Sequence, residues 1–145
     1  GTVEKAAVTT AVVAGTVGIF VGCSYTDPST SQLTFNQQYP ASTTASDIMA
    51  YVVDDPKLVF KMQGDEAIAQ TGLGNNVSAV NTAGSTSIGR SKNALDGGSI
   101  ATTNTLPLRV VDFVDGPSSA VGDAFTDCIV TYLPLSHAYE TKLGV

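Results

Sequence analysis

The sequence is poor in charged residues and in the groups that carry most enzyme chemistry. Charged residues make up 14% of the 145-residue chain, which has one histidine, two cysteines and no tryptophan. The seven lysines and arginines face thirteen acids and do not cluster. We therefore expect no nucleic-acid partner, because non-specific affinity for a phosphate backbone comes from grouped basic side chains.

Long apolar runs are also lacking. No run reaches the ~18–20 residues that a membrane-spanning helix needs, so no membrane partner is expected. Hydrophobic residues nevertheless make up 43% of the chain, too many for a disordered segment. The length predicts a single β domain over residues 1–145. So little charge on a folded chain indicates that a partner of some kind covers much of its surface.

The hydrophobic pattern is that of β-strands. In residues 57–63, Leu58, Phe60 and Met62 alternate with outward residues such as Lys61, the period-two pattern of a half-exposed strand. Phe60→Ala or Val110→Ala should therefore cost roughly 2–5 kcal/mol, whereas Lys61→Ala should be nearly silent. Residues 7–13 and 17–23 also predict strands. Runs that are apolar on both faces, as in the middle of a packed structure, are residues 48–53, 108–114 and 128–133.

Turn signals separate these runs at short intervals, which is typical of a β-sandwich or small barrel with long surface loops. Asp54-Asp55-Pro56 predicts a hairpin turn in which one carboxylate accepts a backbone N–H two residues ahead. A calcium site and acid–base catalysis are the alternatives for this acidic pair. Residues 65–70 predict one helical turn. Residues 81–104, rich in Ser, Thr, Gly and Asn, predict a long surface loop with a short strand or two.

Candidate catalytic and metal-binding residues are few and scattered. A Ser-His-Asp triad would need a serine on a strained turn to serve His137, and the chain has no Gly-x-Ser-x-Gly. An ordinary surface or hydrogen-bonded histidine is the favoured interpretation. Cys23 and Cys128 lack metal or redox spacing, and two buried thiols are favoured over a disulfide. We expect no enzyme and no bound cofactor or metal, leaving open a cation held from separate loops by Asp27, Asp54 or Asp115.

Aromatic side chains are concentrated in a polar, charge-poor segment. Phe20, Tyr25, Phe35 and Tyr39 lie among residues that are mostly Ser, Thr and Gln. Such rings suit a protein interface, because they give a large contact area at small entropic cost. The alternative is that they pack under their own loop as a local lid. The sequence does not decide between the two.

The order of these blocks resembles that of a family of virion proteins. The runs GIFVGCSYTDP (residues 18–28) and AYVVDDP (50–56), the latter leading to FKMQ (60–63), resemble small structural proteins found beside major capsid proteins in tailed bacteriophages. Residues 72–76, 83–86, 94–96 and 108–112 fit the same pattern. The likeness covers residues 3–139 and lies in texture and block order, not in a catalytic signature.

The resemblance implies a cement, or decoration, protein of a tailed bacteriophage capsid. Such a protein is a jelly-roll-like, all-β module that binds the outside of the icosahedral shell and braces neighbouring capsomers. The implied partner is the major capsid protein, and a dimer or trimer of the chain is expected on the shell. Synthesis in the host cytoplasm and a final place on the virion exterior follow, with no cofactor. The expected interface residues are Tyr25, Phe35, Tyr39 and Arg90.

Two other functions remain open. A β-sandwich module that recognises a receptor or glycan at a virion surface could stack sugars on surface aromatics beside Asp and Asn. A small hydrolase would use Asp54 and Glu66 or His137.

Overall fold

The computed structural model describes residues 15–85, 87–134 and 136–140, which form an all-β structure. The predicted strand at residues 7–13 lies outside the described residues. The elements are β1 (Ile19–Thr26), β2 (Leu33–Asn36), β3 (Met49–Val53), β4 (Val59–Gln63), β5 (Asn76–Val80), β6 (Ala94–Ala101), β7 (Leu108–Phe113) and β8 (Asp127–Tyr132), with 3-10 turns at Gln70–Gly72 and Ala138–Glu140.

These strands form two antiparallel sheets. The small sheet has the order β2-β1-β3, and the large sheet has the order β4-β8-β7-β5-β6. The all-β prediction is confirmed, and the two sheets are consistent with a β-sandwich; the jelly-roll connectivity stays a prediction. Because β1 to β3 build one sheet and β4 to β8 the other, the chain passes between the sheets once within the strand order, after β3.

The hydrophobic core belongs to the large sheet. Alternate residues of β5, β7 and β8 are buried, and Ile68, from the segment after β4, is 0% exposed beside them. Each large side chain buried in this way stabilises the fold by about 1.5–3 kcal/mol. The core residues are Ile68, Val77, Ala79, Leu95, Leu108, Val110, Cys128, Val130 and Tyr132.

Most strand predictions hold, but their exposure differs. The alternation in β4 is confirmed, because Phe60 and Met62 pack against the core and Lys61 is exposed. β7 and β8 lie inside the large sheet as predicted, although Val111 leaves the second face of β7 half exposed. The prediction for residues 48–53 is wrong about position: β3 is an edge strand of the small sheet and not the middle of a packed structure.

The Asp54-Asp55-Pro56 segment is not a hairpin turn, because β3 and β4 belong to different sheets. Its predicted bond is confirmed: the Lys57 N–H donates to Asp55 Oδ1 at 2.8 Å. This segment is therefore a local turn that carries the chain from the small sheet to the large one.

Two further predictions change in detail. Residues 65–69 are not helical; the 3-10 turn starts at Gln70, because Ile68 enters the core and its N–H donates to Thr126 Oγ1 at 3.0 Å. The loop predicted for residues 81–104 is confirmed in part. Residues 81–85 and 87–93 are loop apart from one isolated bridge, and β6 then forms an eight-residue edge strand paired with β5.

The two cysteines are free, buried thiols, as favoured. Cys23 lies in β1 and Cys128 in β8. Burial raises the pKa of both thiols, and the adjacent Asp127 carboxylate contributes to raising the pKa of Cys128 to about 11. Both groups are therefore protonated at neutral pH and poorly reactive.

Candidate functional site

One face of the small sheet carries large apolar side chains that nothing in the described chain covers. Directly paired residues of antiparallel strands lie on the same face. Ser24 pairs with Phe35 and Met49, and Gly22 pairs with Tyr51. The same register adds the ends of the neighbouring strands. We call the following five residues the apolar face: Leu33, Phe35, Met49, Tyr51 and Val53.

The apolar face has two ridges and a low centre. Leu33 and Phe35 on β2 are 63% and 68% exposed, and Met49 on β3 is 62% exposed. The central strand contributes Gly22 and Ser24 between them, and Ser24 Oγ lies 2.9 Å from the Tyr51 hydroxyl. The rims are therefore apolar, and the Ser24 and Tyr51 hydroxyls at the centre already hydrogen-bond to each other. Such a surface accepts another protein without leaving a buried polar group unsatisfied.

The size of this surface fits a protein contact. Aromatic side chains bury ~150–250 Å² each when fully covered, so the two aromatic and three smaller apolar side chains of this face, which are 39–68% exposed, offer roughly 500 Å². That area lies near the upper end of the ~300–600 Å² typical of the largest apolar patch on a monomer. It is also more than half of the ~800 Å² that each partner contributes to a standard interface. The apolar face is thus large enough to form the centre of one.

Charged residues lie beyond both ends of the apolar face: Asp27 and Asp47 at one end, and Asp54 and Asp55, directly after Val53, at the other. No charged residue occurs between Pro28 and Ser46, and Asp27 and Asp47 flank this stretch. Hydrogen bonds from the Thr26 hydroxyl and N–H hold the pKa of Asp47 below its usual value, and bonds from Ser29 do the same for Asp27. Both carboxylates are therefore ionised at neutral pH.

Two of the four predicted interface residues form a local lid instead. Tyr25 is only 3% exposed, so its ring cannot contribute contact area, and this prediction is corrected. It packs edge-on against Tyr39 at 5.3 Å between ring centroids, and its hydroxyl accepts from Asn36 Nδ2. The Tyr39 hydroxyl donates to the Thr43 carbonyl oxygen at 2.5 Å, which fixes the loop above it. This part of the segment thus follows the alternative of rings packed under their own loop.

The other two predicted residues are exposed but lie in different places. Phe35 is part of the apolar face. Arg90 lines a groove beside Asn36 and Gln38.

Met49 and Tyr51 were not predicted from the sequence, because an apolar strand looks the same whether it is buried or covered by a partner. The useful signal was the long stretch without lysine or arginine, from Ala6 to Pro56.

The acidic residues considered for catalysis do not converge. The Asp54 carboxylate accepts from the Tyr139 hydroxyl at 2.9 Å, and Asp55 serves its turn. Within the described ranges, one group has metal-ligand spacing: three exposed or half-exposed carboxylates whose oxygens lie within 4.8 Å of one another. One of them already accepts the Gly97 N–H. These three carboxylates belong to Asp65, Glu66 and Asp96.

His137 is buried and not on the surface. Its Nδ1 accepts the Tyr139 N–H at 3.3 Å, and its ring packs between Tyr132 and Tyr139 at 5.4 and 5.3 Å. Its Nε2 has no hydrogen-bond partner among the residues that the structure describes. No serine or carboxylate in that part of the chain hydrogen-bonds to either ring nitrogen, so the arrangement of a nucleophile and its base is not formed there.

Comparisons with protein-family models, with curated proteins and with solved structures gave no match. Within the described ranges, no helical segment has the length and apolar character required to span a membrane.

Proposed function

We propose that this protein is a capsid decoration protein that binds the outer surface of an icosahedral phage shell through the apolar face and braces neighbouring capsomers. The observation that carries the proposal is the apolar face itself, in which Phe35 and Met49 stand more than 60% exposed on a sheet without lysine or arginine. The resemblance of the sequence to small virion structural proteins supplies the identity of the partner.

The energetics favour many copies over one tight complex. Covering ~500 Å² of apolar surface gains roughly 12 kcal/mol at ~25 cal/mol per Å². Association costs an estimated 4–15 kcal/mol in lost translational and rotational freedom. Each contact is therefore of modest strength, and a dimer or trimer that touches several capsid subunits raises the apparent affinity through avidity. Gel filtration of the isolated protein measures the oligomeric state on which this depends.

Co-sedimentation with undecorated capsids tests the proposal. Phe35→Ser should lower the apparent affinity by at least about tenfold, because it removes a ring whose burial is worth about 1.5–3 kcal/mol. Phe125→Ser is the matched control: Phe125 is 59% exposed, lies outside the apolar face and should leave binding unchanged. Thermal unfolding of each variant checks that both remain folded.

Three results would count against the proposal. Failure of the wild-type protein to pellet with capsids at micromolar concentration would contradict the proposal. Equal effects of Phe35→Ser and Phe125→Ser would show that the apolar face is not the contact. Glycan-array binding that Tyr39→Ala abolishes, in a protein that does not bind capsids, would instead favour the receptor- or glycan-binding module.

A further inference from the structure

A second feature of the surface is a polar groove between the end of β2 and the loop that follows β5. Within this loop the chain turns back on itself: the Ser85 N–H donates to the Arg90 carbonyl oxygen at 3.0 Å. The turn lies against the segment that follows Phe35. The groove has a volume of about 320 Å³ and is lined by Asn36, Gln37, Gln38, Ile88, Gly89 and Arg90. We call it the Arg90 groove.

The two walls of the Arg90 groove contact each other at Gly89. Gly89 has a φ of +63°, which favours glycine, and the Gln38 side-chain amide occupies the space where a Cβ of residue 89 would stand. The Gly89 N–H also donates to the Ser85 carbonyl oxygen at 2.8 Å. The groove therefore exists before any ligand arrives, which lowers the entropic cost of binding.

The charge of the Arg90 groove is opposite to that of the protein. The chain carries a net charge of −6, yet Arg90 and Lys92 are the only charged residues between Asn81 and Asn93. The one ion pair between described residues joins Lys61 to Asp127, so Arg90 has no acidic partner among them. Arg90 is thus the only charged residue among those that line the groove.

We propose that the Arg90 groove binds a carboxylate presented by an acidic segment of the capsid protein. A guanidinium offers a planar fork of N–H donors that matches a carboxylate, and such charge-assisted, bidentate bonds are roughly twice as strong as neutral ones. The amide groups of Asn36 and Gln37 supply further donors, and Ile88 offers an apolar wall to the stem of an acidic side chain. This inference rests on the proposed function for the source of the carboxylate.

The groove chemistry is tested without capsids by NMR titration of the folded protein. Blocked triglutamate should shift the Arg90 Nε–H and the Gln37 side-chain amide resonances in a saturable manner, whereas blocked triglutamine should not. Arg90→Ala should weaken triglutamate binding by at least about tenfold, and Arg90→Lys should recover only part of it, because lysine lacks the fork. Lys92→Ala is the matched control, since Lys92 does not line the groove, and should change binding less than twofold.

The outcomes separate this inference from the proposed function. Equal losses in Arg90→Ala and Lys92→Ala would reveal general charge attraction and overturn the site. Tighter binding of N-acetylneuraminic acid than of triglutamate would overturn the peptide source. If Arg90→Ala leaves capsid co-sedimentation unchanged while Phe35→Ser abolishes it, the Arg90 groove does not bind the capsid protein, and the proposed function stands. A saturable triglutamate titration in a protein that does not bind capsids would contradict the proposed function and the capsid as source, with the carboxylate site retained.

Discussion

Lys61→Ala should destabilise the protein although the lysine side chain is 55% exposed. Lys61 lies on β4 and Asp127 on β8, in diagonal positions of the antiparallel register, with Nζ 2.5 Å from Asp127 Oδ2. The aspartate side chain is only 8% exposed. Its other oxygen accepts a longer bond from Gln63 Nε2 at 3.3 Å. Removal of the lysine thus leaves a nearly buried carboxylate with one weak partner.

The magnitude lies between those of two familiar cases. Exposed ion pairs contribute about 0–1 kcal/mol, and removal of one partner from a fully buried pair costs about 3–5 kcal/mol. Because one partner is exposed and the other is buried, we expect Lys61→Ala to lower the free energy of unfolding by about 1–3 kcal/mol. This replaces the nearly silent substitution expected from the strand pattern alone.

Urea denaturation of a double-mutant cycle measures the interaction energy between Lys61 and Asp127. The cycle comprises Lys61→Ala, Asp127→Asn and the double variant, with Lys57→Ala as a control because Lys57 is an exposed lysine without an ion pair to any residue that the structure describes. The coupling energy should be about 1–2 kcal/mol, and the control should lie within about 0.5 kcal/mol of the wild type. A Lys61→Ala variant as stable as Lys57→Ala would show that the Lys61–Asp127 ion pair does not stabilise the fold.

Three further predictions follow from packing and titration. Val110→Ala should cost roughly 2–5 kcal/mol in the same assay, because Val110 is fully buried in the core; a loss below 1 kcal/mol would contradict that packing. Burial raises the pKa of Cys23 and Cys128, so neither thiol should react with Ellman's reagent at pH 8 until the protein is unfolded; rapid reaction of the native protein would contradict this. Hydrogen bonds from Thr26 lower the folded-state pKa of Asp47, so its stabilisation should be present above its unfolded pKa of about 3.8 and be lost as pH falls through the folded value. Asp47→Asn should therefore melt below the wild type at pH 7, and the difference should shrink as the pH falls below about 3.8; equal melting of the two proteins at pH 7 would contradict the role of Asp47.

The sequence predicts the large sheet better than the small one. In β4, the predicted period-two alternation corresponds to a real inner and outer face, so the inward position of Phe60 is confirmed, and Cys128 of β8 is a buried thiol as favoured. In β3 the pattern is equally apolar, yet its edge position leaves Met49 and Tyr51 in solvent. The local sequence shows that a strand is apolar, but it does not show whether the rest of the chain covers that strand.

The candidate site shows the same division. The concentration of aromatics in residues 20–39 left an interface and a local lid equally open, and the structure shows Phe35 exposed and Tyr25 packed beneath Tyr39. Which ring lies above and which below depends on the path of the loop after β2, which is set by the Tyr39 hydroxyl bond to the Thr43 carbonyl oxygen. The Arg90 groove joins residues distant in sequence through Gly89, so spacing alone does not reveal it.

Electron microscopy of undecorated capsids incubated with the purified protein is the most direct test of the central claim. We expect added density on the outer shell, with the small sheet oriented so that Phe35 and Met49 contact capsid subunits. Capsids without added density, or density in which those two side chains point away from the shell into solvent, would contradict it.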